Sequence, residues 1–314
     1  MAIVKVMAMA MVMTVTMTML AACSGDEGLS PPPATQVVGQ DLPEASETTA
    51  VPLDELQAAA TAYHRLVVEL LGALQTNTTR FTDAVRRGDL SAARELYPAM
   101  REPWEMIEPV VEGLPVSATA IDGLSEDFAL AEADPGFTGF HALEYFLWAQ
   151  GSTGNGAVVD EIALAAQLDA DIAIAVGAIG SLVIEPGEMT NGAATLIEEA
   201  AQTKVVGLED RYSHTDLAML DANVRGARHV FDLVETMLRS VDVSLADTIA
   251  ASFAEVGEAL DPYRGDDSFV SGDDSFVSYD EVTEADRNHL KTSMAQLAEA
   301  LARLTGSLGL EVEG

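Results

Sequence analysis

The run Gly139-Phe140-His141-Ala142-Leu143-Glu144-Tyr145-Phe146-Leu147-Trp148 places a histidine and a carboxylate three positions apart in an otherwise apolar segment. At helical spacing, residues i and i+3 are neighbours, so His141 and Glu144 project together on the stripe that also carries Phe137 and Trp148. Two polar groups aimed at a core need partners, and a metal ion suits both. A second acidic pair, Glu105 and Glu108, stands in Trp104-Glu105-Met106-Ile107-Glu108-Pro109 at the same spacing. Glu108 shares the stripe of Trp104 and Val111, which predicts that it faces the core. Two helices, one offering Glu/Glu and the other His/Glu, are a recurrent way to build a metal site inside a helical bundle. Asp122, between them in sequence, is placed to close the site from above. Carboxylate and imidazole suit iron (Fe2+ or Fe3+), Zn2+ or Mn2+, and no thiolate joins them.

The plainer readings are a solvated acidic face for Glu105 and Glu108, and for His141 a buried ring bonded to a backbone carbonyl. Other chemistries lack their residues. Neither His-Glu-x-x-His nor His-x-x-Glu-His occurs, since Tyr145 follows Glu144. Gly-x-Ser-x-Gly, a phosphate loop and a dinucleotide fingerprint are also missing. A binding protein rather than an enzyme is expected. The polar stretch Lys204 to Asp216 reads as a helix–helix corner broken at Gly207, with Asp210 and Arg211 as a local ion pair. Ser213-His214-Thr215-Asp216 has the residue types of a capping box, and Gly226-Ala227 those of a close helix contact.

The elements that must position these groups are helices. Apolar residues at helical spacing predict helices over Leu53–Val85, then from Leu90 to Val111 with bends at Pro98 and Pro103, Phe137–Ala149, Val158–Leu182, Gly192–Val206, Thr215–Leu238 and Ser244–Leu260. A last helix from about Thr283 carries Leu290, Met294, Leu297, Leu301, Leu304 and Leu308 in 4-3 spacing. Strand-like alternation is nearly absent, so an all-α bundle is expected. The heptapeptide Gly265–Ser271 is repeated as Gly272–Ser278. Two copies are too few for a solenoid, and the spacing lacks a calcium-loop pattern, so it reads as a duplicated surface loop.

Residues 1–22 read as a secretion signal. Lys5 is their only charge, and Leu20-Ala21-Ala22-Cys23 resembles a lipobox, in which the cysteine becomes lipid-modified. An ordinary signal peptide or a membrane span is the alternative. Cys23 is the only cysteine, which excludes an internal disulfide. Residues 23–52, rich in Pro, Ser, Thr and acid, read as a tether between membrane and domain. No second apolar run is expected to cross a bilayer. With a net charge of −35, nucleic acid is an unsuitable partner, whereas cations are drawn in.

Three stretches, Trp104 to Glu112, Thr138 to Glu144 with Leu147-Trp148, and Lys204 to Asp216 with Asn223 and Gly226-Ala227, resemble the imelysin-like family in its EfeO/EfeM branch, extracytoplasmic components of bacterial ferrous iron uptake systems. The resemblance covers residue 53 to the C-terminus. It implies two packed antiparallel helical bundles, here about 53–150 and 157–314, and a metal site of His141 and Glu144 with Glu105, Glu108 and Asp122. A further carboxylate from the second half is implied, with Glu198 and Glu209 both candidates. It also implies a membrane-held lipoprotein on the periplasmic or cell-surface side that passes iron to a permease. The tether, where EfeO proteins carry a cupredoxin domain, matches the shorter EfeM type. Other relatives imply alternatives: binding associated with polysaccharide or haem, or metallopeptidase activity.

Overall fold

The computed structural model describes residues 50–111, 113–149, 160–265 and 276–311. The signal segment, Cys23, the tether up to residue 49, the 151–156 loop and most of the duplicated heptapeptide lie outside the described residues. Among the described residues there are helices and no strand; one isolated bridge joins Arg264 and Phe276. The all-α expectation holds.

The long helices are α1 (Leu53–Arg86), α2 (Leu90–Glu105), α5 (Gly139–Trp148), α6 (Glu161–Ala178), α7 (Pro186–Thr203), α8 (Asp216–Val241), α9 (Val243–Leu260) and α10 (Glu284–Ala302). Short helices α3 (Glu108–Val111), α4 (Ala118–Asp122) and α11 (Leu304–Ser307) join them. Asp89 caps α2 by accepting from the Ala92 amide, and Thr283 caps α10 in the same way from Asp286. The 4-3 series from Leu290 to Leu308 is wholly buried.

Helix α1 packs on α2 and α6, and α6 packs on α5. In the second group, α7 packs on α10 and α8, and α9 packs on α10 and α8. The helix after the 151–156 loop thus returns to the first-half helices. The stretch Glu161–Ser181 has the length and mean hydropathy, 1.8, of a membrane-crossing helix, contrary to the sequence expectation. It packs against α1 and α5 with a third of its apolar window buried, and its Asp169 is held by Thr82 and Arg86 of α1.

The two groups meet where α2 crosses α8 and α3 crosses α7. The predicted helix from Leu90 to Val111 breaks at Met106–Ile107. Pro109, four residues after Glu105, has no amide hydrogen to donate to the Glu105 carbonyl. Asn223 of α8 supplies the missing donor through Nδ2 at 2.9 Å. Gly226, one turn further along α8, makes this approach possible. A Cβ there would lie 2.4 Å from the Met106 carbonyl oxygen and 2.8 Å from its Cα. Gly226→Ala is expected to destabilise the fold by about 1–3 kcal/mol, a Tm loss of roughly 3–10 °C by thermal melt; an unchanged Tm would show that the crossing tolerates the methyl.

Candidate metal centre

The break in α2 and the start of α5 fix the site. Gly139 opens α5 with φ +78°, a conformation that side-chain-bearing residues rarely adopt, and a Cβ there would lie 2.0 Å from the Ile121 carbonyl oxygen. Thr138 Oγ1 donates to the Ala120 carbonyl at 2.8 Å. These contacts hold the first turn of α5 against α4 and set His141 beside Asp122.

His141 is buried. Its Nδ1 lies 2.9 Å from Glu144 Oε2. Its Nε2 lies 3.3 Å from Asp122 Oδ1, without hydrogen-bond geometry to any group. Glu144 is fully engaged: Oε1 accepts from the Tyr212 amide at 3.0 Å, the Ser213 amide at 2.8 Å and Ser213 Oγ at 2.8 Å. A carboxylate so placed fixes which imidazole nitrogen carries hydrogen. Asp122 Oδ2 accepts from Trp104 Nε1 at 2.9 Å, and Trp104 stacks edge-on against Phe140 at 5.9 Å between centroids.

Arg101 occupies the centre, its side chain fully buried. Its Nη2 donates to Glu105 at 2.6 Å, Glu209 at 2.9 Å and Asp122 at 3.0 Å, while Nη1 pairs with Asp210. The guanidinium also lies over the Phe140 ring at 5.5 Å and the Tyr97 ring at 5.8 Å. Lys204, at the end of α7, places its ammonium among Glu105, Glu108 (3.2 Å) and Glu209 (3.1 Å). Asn223 Nδ2 also reaches Glu105 Oε2 at 3.2 Å. One oxygen each from Glu105, Asp122 and Glu209 lie within 4.8 Å of one another, as do ligand atoms of His141, Glu144 and Asp210.

The structure thus brings together His141, Glu144, Glu105, Asp122 and Glu209. Glu108 stands at the rim. With α2 ended at Glu105, the two glutamates do not share a helix, and it is Glu105 that is buried while Glu108 remains 28% exposed. Glu198 is not at the site: it is exposed on α7, hydrogen-bonded to Gln202. Of the two second-half candidates, Glu209 is the one beside the others. The expected Asp210–Arg211 pair does not form; Asp210 turns inward to Arg101 and Arg211 outward to Glu126. No capping box forms either, since Thr215 is the N-cap without a side-chain cap and Ser213 serves Glu144. Sequence reasoning missed Arg101 and Lys204. The available signal was Arg101 between Tyr97, Met100 and Trp104, four residues before Glu105.

The carboxylates Glu105, Glu108, Asp122, Glu144, Glu209, Asp210 and Asp216 outnumber Arg101, Lys204 and His141. Burial pushes Glu108 up to about 8 and Asp216 to about 7, and it raises Glu105 and Asp210 against the pull of Lys204 and Arg101 respectively. Burial opposes ionisation of Asp122 too, but Arg101 and His141 bring it down to about 2. For His141, burial and Arg101 disfavour the charged ring, yet Asp122 and Glu144 carry it up to about 10. The cluster therefore holds protons that a bound cation would replace.

A family model described as imelysin, peptidase M75, matches residues 59–304. The chain is similar to the iron uptake system component EfeO of Escherichia coli strain K12, at 38% identity over 275 residues, 88% of this chain and 70% of that protein. The proteins of the same name from Shigella flexneri and Shigella sonnei match with the same identity and coverage.

Glu108, Asp216 and His141 all bind protons more tightly in the fold than in the unfolded chain, where their ordinary values are 4.5, 3.8 and 6.5. Their stabilisation is complete below those values and is lost as pH rises through the folded ones. The Tm of chelator-treated protein is expected to fall steadily between about pH 5 and pH 9. A Tm that climbs across that interval would contradict the proton inventory.

Proposed function

This chain belongs to the imelysin family, on its EfeO-like branch, and from that premise we propose that it binds iron outside the cytoplasm and hands it on within an uptake system. The observation that supports the reading is the buried His141, whose Nε2 lies 3.3 Å from Asp122 outside hydrogen-bond geometry, among carboxylates that exceed their cations.

In this reading His141 Nε2, Asp122, Glu105 and Glu209 hold the cargo, Glu108 meets it at the rim, and Glu144 orients the imidazole through Nδ1. Oxygen donors with a single imidazole suit Fe2+ or Fe3+, and Zn2+ or Mn2+ would compete through the same donors. The work is capture and transfer, without a bond made or broken in a substrate. The sequence at Leu20–Cys23 supports attachment to a membrane through a lipidated Cys23, with delivery to an iron permease of the same uptake system.

Titration with ferrous iron under anaerobic conditions tests the site. Wild type should bind, and the double variant His141→Ala, Glu144→Ala should lose affinity by roughly a hundredfold or more. Glu198→Ala should bind like wild type. Equal uptake by wild type and the double variant would end the proposal.

A further inference from the structure

The outer end of the cluster already contains a cation. The ammonium of Lys204 lies among Glu105, Glu108 and Glu209, and its side chain is 3% exposed. Of these carboxylates, Glu108 is the most exposed, and it is still largely covered. It lines a cleft of about 160 Å³ with Thr119, Asp122 and Asp127. It also lines a larger cleft of about 510 Å³ with Glu188 and Glu199. A cation in the smaller cleft faces Glu108 and Asp122 among the lining residues, and Asp122 lies 3.3 Å from His141 Nε2. Two of the carboxylates it then needs, Glu105 and Glu209, are shared with Lys204.

We propose that Lys204 is a built-in competitor for the cargo: its ammonium neutralises Glu105, Glu108 and Glu209 when the site is empty and yields them when a divalent cation binds. The inference rests on the metal-site reading above. The two buried cations differ in what they can do. Arg101 is a planar fork pinned by carboxylates on both amino groups and by contact with two aromatic rings, so moving it would break several buried ion pairs at once. Lys204 is a compact charge on a flexible four-carbon stem, and its cage opens through Glu108 to a solvent cleft. Such a charge weakens cation binding and refills the vacancy as the cargo departs. A site used for delivery gains from both effects.

Removing the competitor should tighten binding. In anaerobic chelator competition, Lys204→Met should bind ferrous iron at least roughly tenfold more tightly than wild type and release it more slowly, because a unit charge a few ångströms from the ligands is gone. A merely structural lysine predicts unchanged or weaker affinity, and that result would overturn the proposal.

A second measurement needs no variant. The chain has three lysines, Lys5, Lys204 and Lys291, and Lys291 is exposed and serves as the reference. Amine labelling of the full chain, read by mass spectrometry, should be several-fold faster at Lys204 after loading with ferrous iron and unchanged at Lys291. No rise at Lys204 would overturn the competitor role, whether or not Lys204→Met folds. The two readings fail differently. Wild type that takes up no iron removes the metal site and this inference with it. Wild type that binds iron, with Lys204→Met no tighter and Lys204 no more reactive, removes only the competitor.

Discussion

The buried guanidinium of Arg101 is the constraint on which the rest of the structure depends. Removing an ion from water costs several kcal/mol even after relaxation, and a single partner seldom offsets that. Arg101 meets the cost with Glu105 on its own helix, Asp122 at the end of α4, and Glu209 and Asp210 in the corner before α8, besides two aromatic faces. These partners come from separate parts of the chain, so satisfying one side chain draws both helix groups together. Folding therefore also assembles the candidate metal centre. The same arrangement leaves negative charge in excess, and the cluster answers with retained protons or, in the proposed function, with a cation.

Backbone chemistry sets the precision. Pro109 withholds a donor from the Glu105 carbonyl, and Asn223 provides one while also touching the Glu105 carboxylate. A local defect in α2 thus becomes the point where α8 grips it. Gly139 does comparable work at the start of α5, where its left-handed conformation lets α4 and α5 touch at backbone distance. His141 is fixed by the irregular backbone of Gly139 two residues before it, and Glu105 by the proline four residues after it. Binding sites that need small positional tolerances are commonly supported in this way.

Much of this was legible in the sequence. The 3.6-residue spacing located the long helices, apolar surroundings singled out His141 and Glu144 as candidates, and residue type and position added Glu105 and Asp122. What escaped reading was partnership across the chain. Helical phase tells which way a side chain points along one element, but not what stands opposite. So Glu198 and Glu209 looked equivalent, and Asp210 was paired with its sequence neighbour rather than with Arg101. Lys204 and Arg101 escaped for another reason: long cationic side chains are ordinarily at the surface, and only a surplus of buried acid reverses that expectation. Glu108 was misplaced because the helix was extended through Met106, where the later proline ends it.

The clamp around Arg101 bears on how quickly such a site can trade its contents. Carriers whose ligands lie between two hinged lobes exchange by swinging the lobes apart, on microsecond to millisecond times. Here that swing would strip Arg101 of Glu209 and Asp210, or of Glu105, and leave ions stranded in a low-dielectric interior. Exchange along the flank past Glu108, which is partly exposed and paired with Lys204, would need side-chain rotation and no separation of the helices. Under the proposed function, loading and unloading would then proceed with the helices standing still.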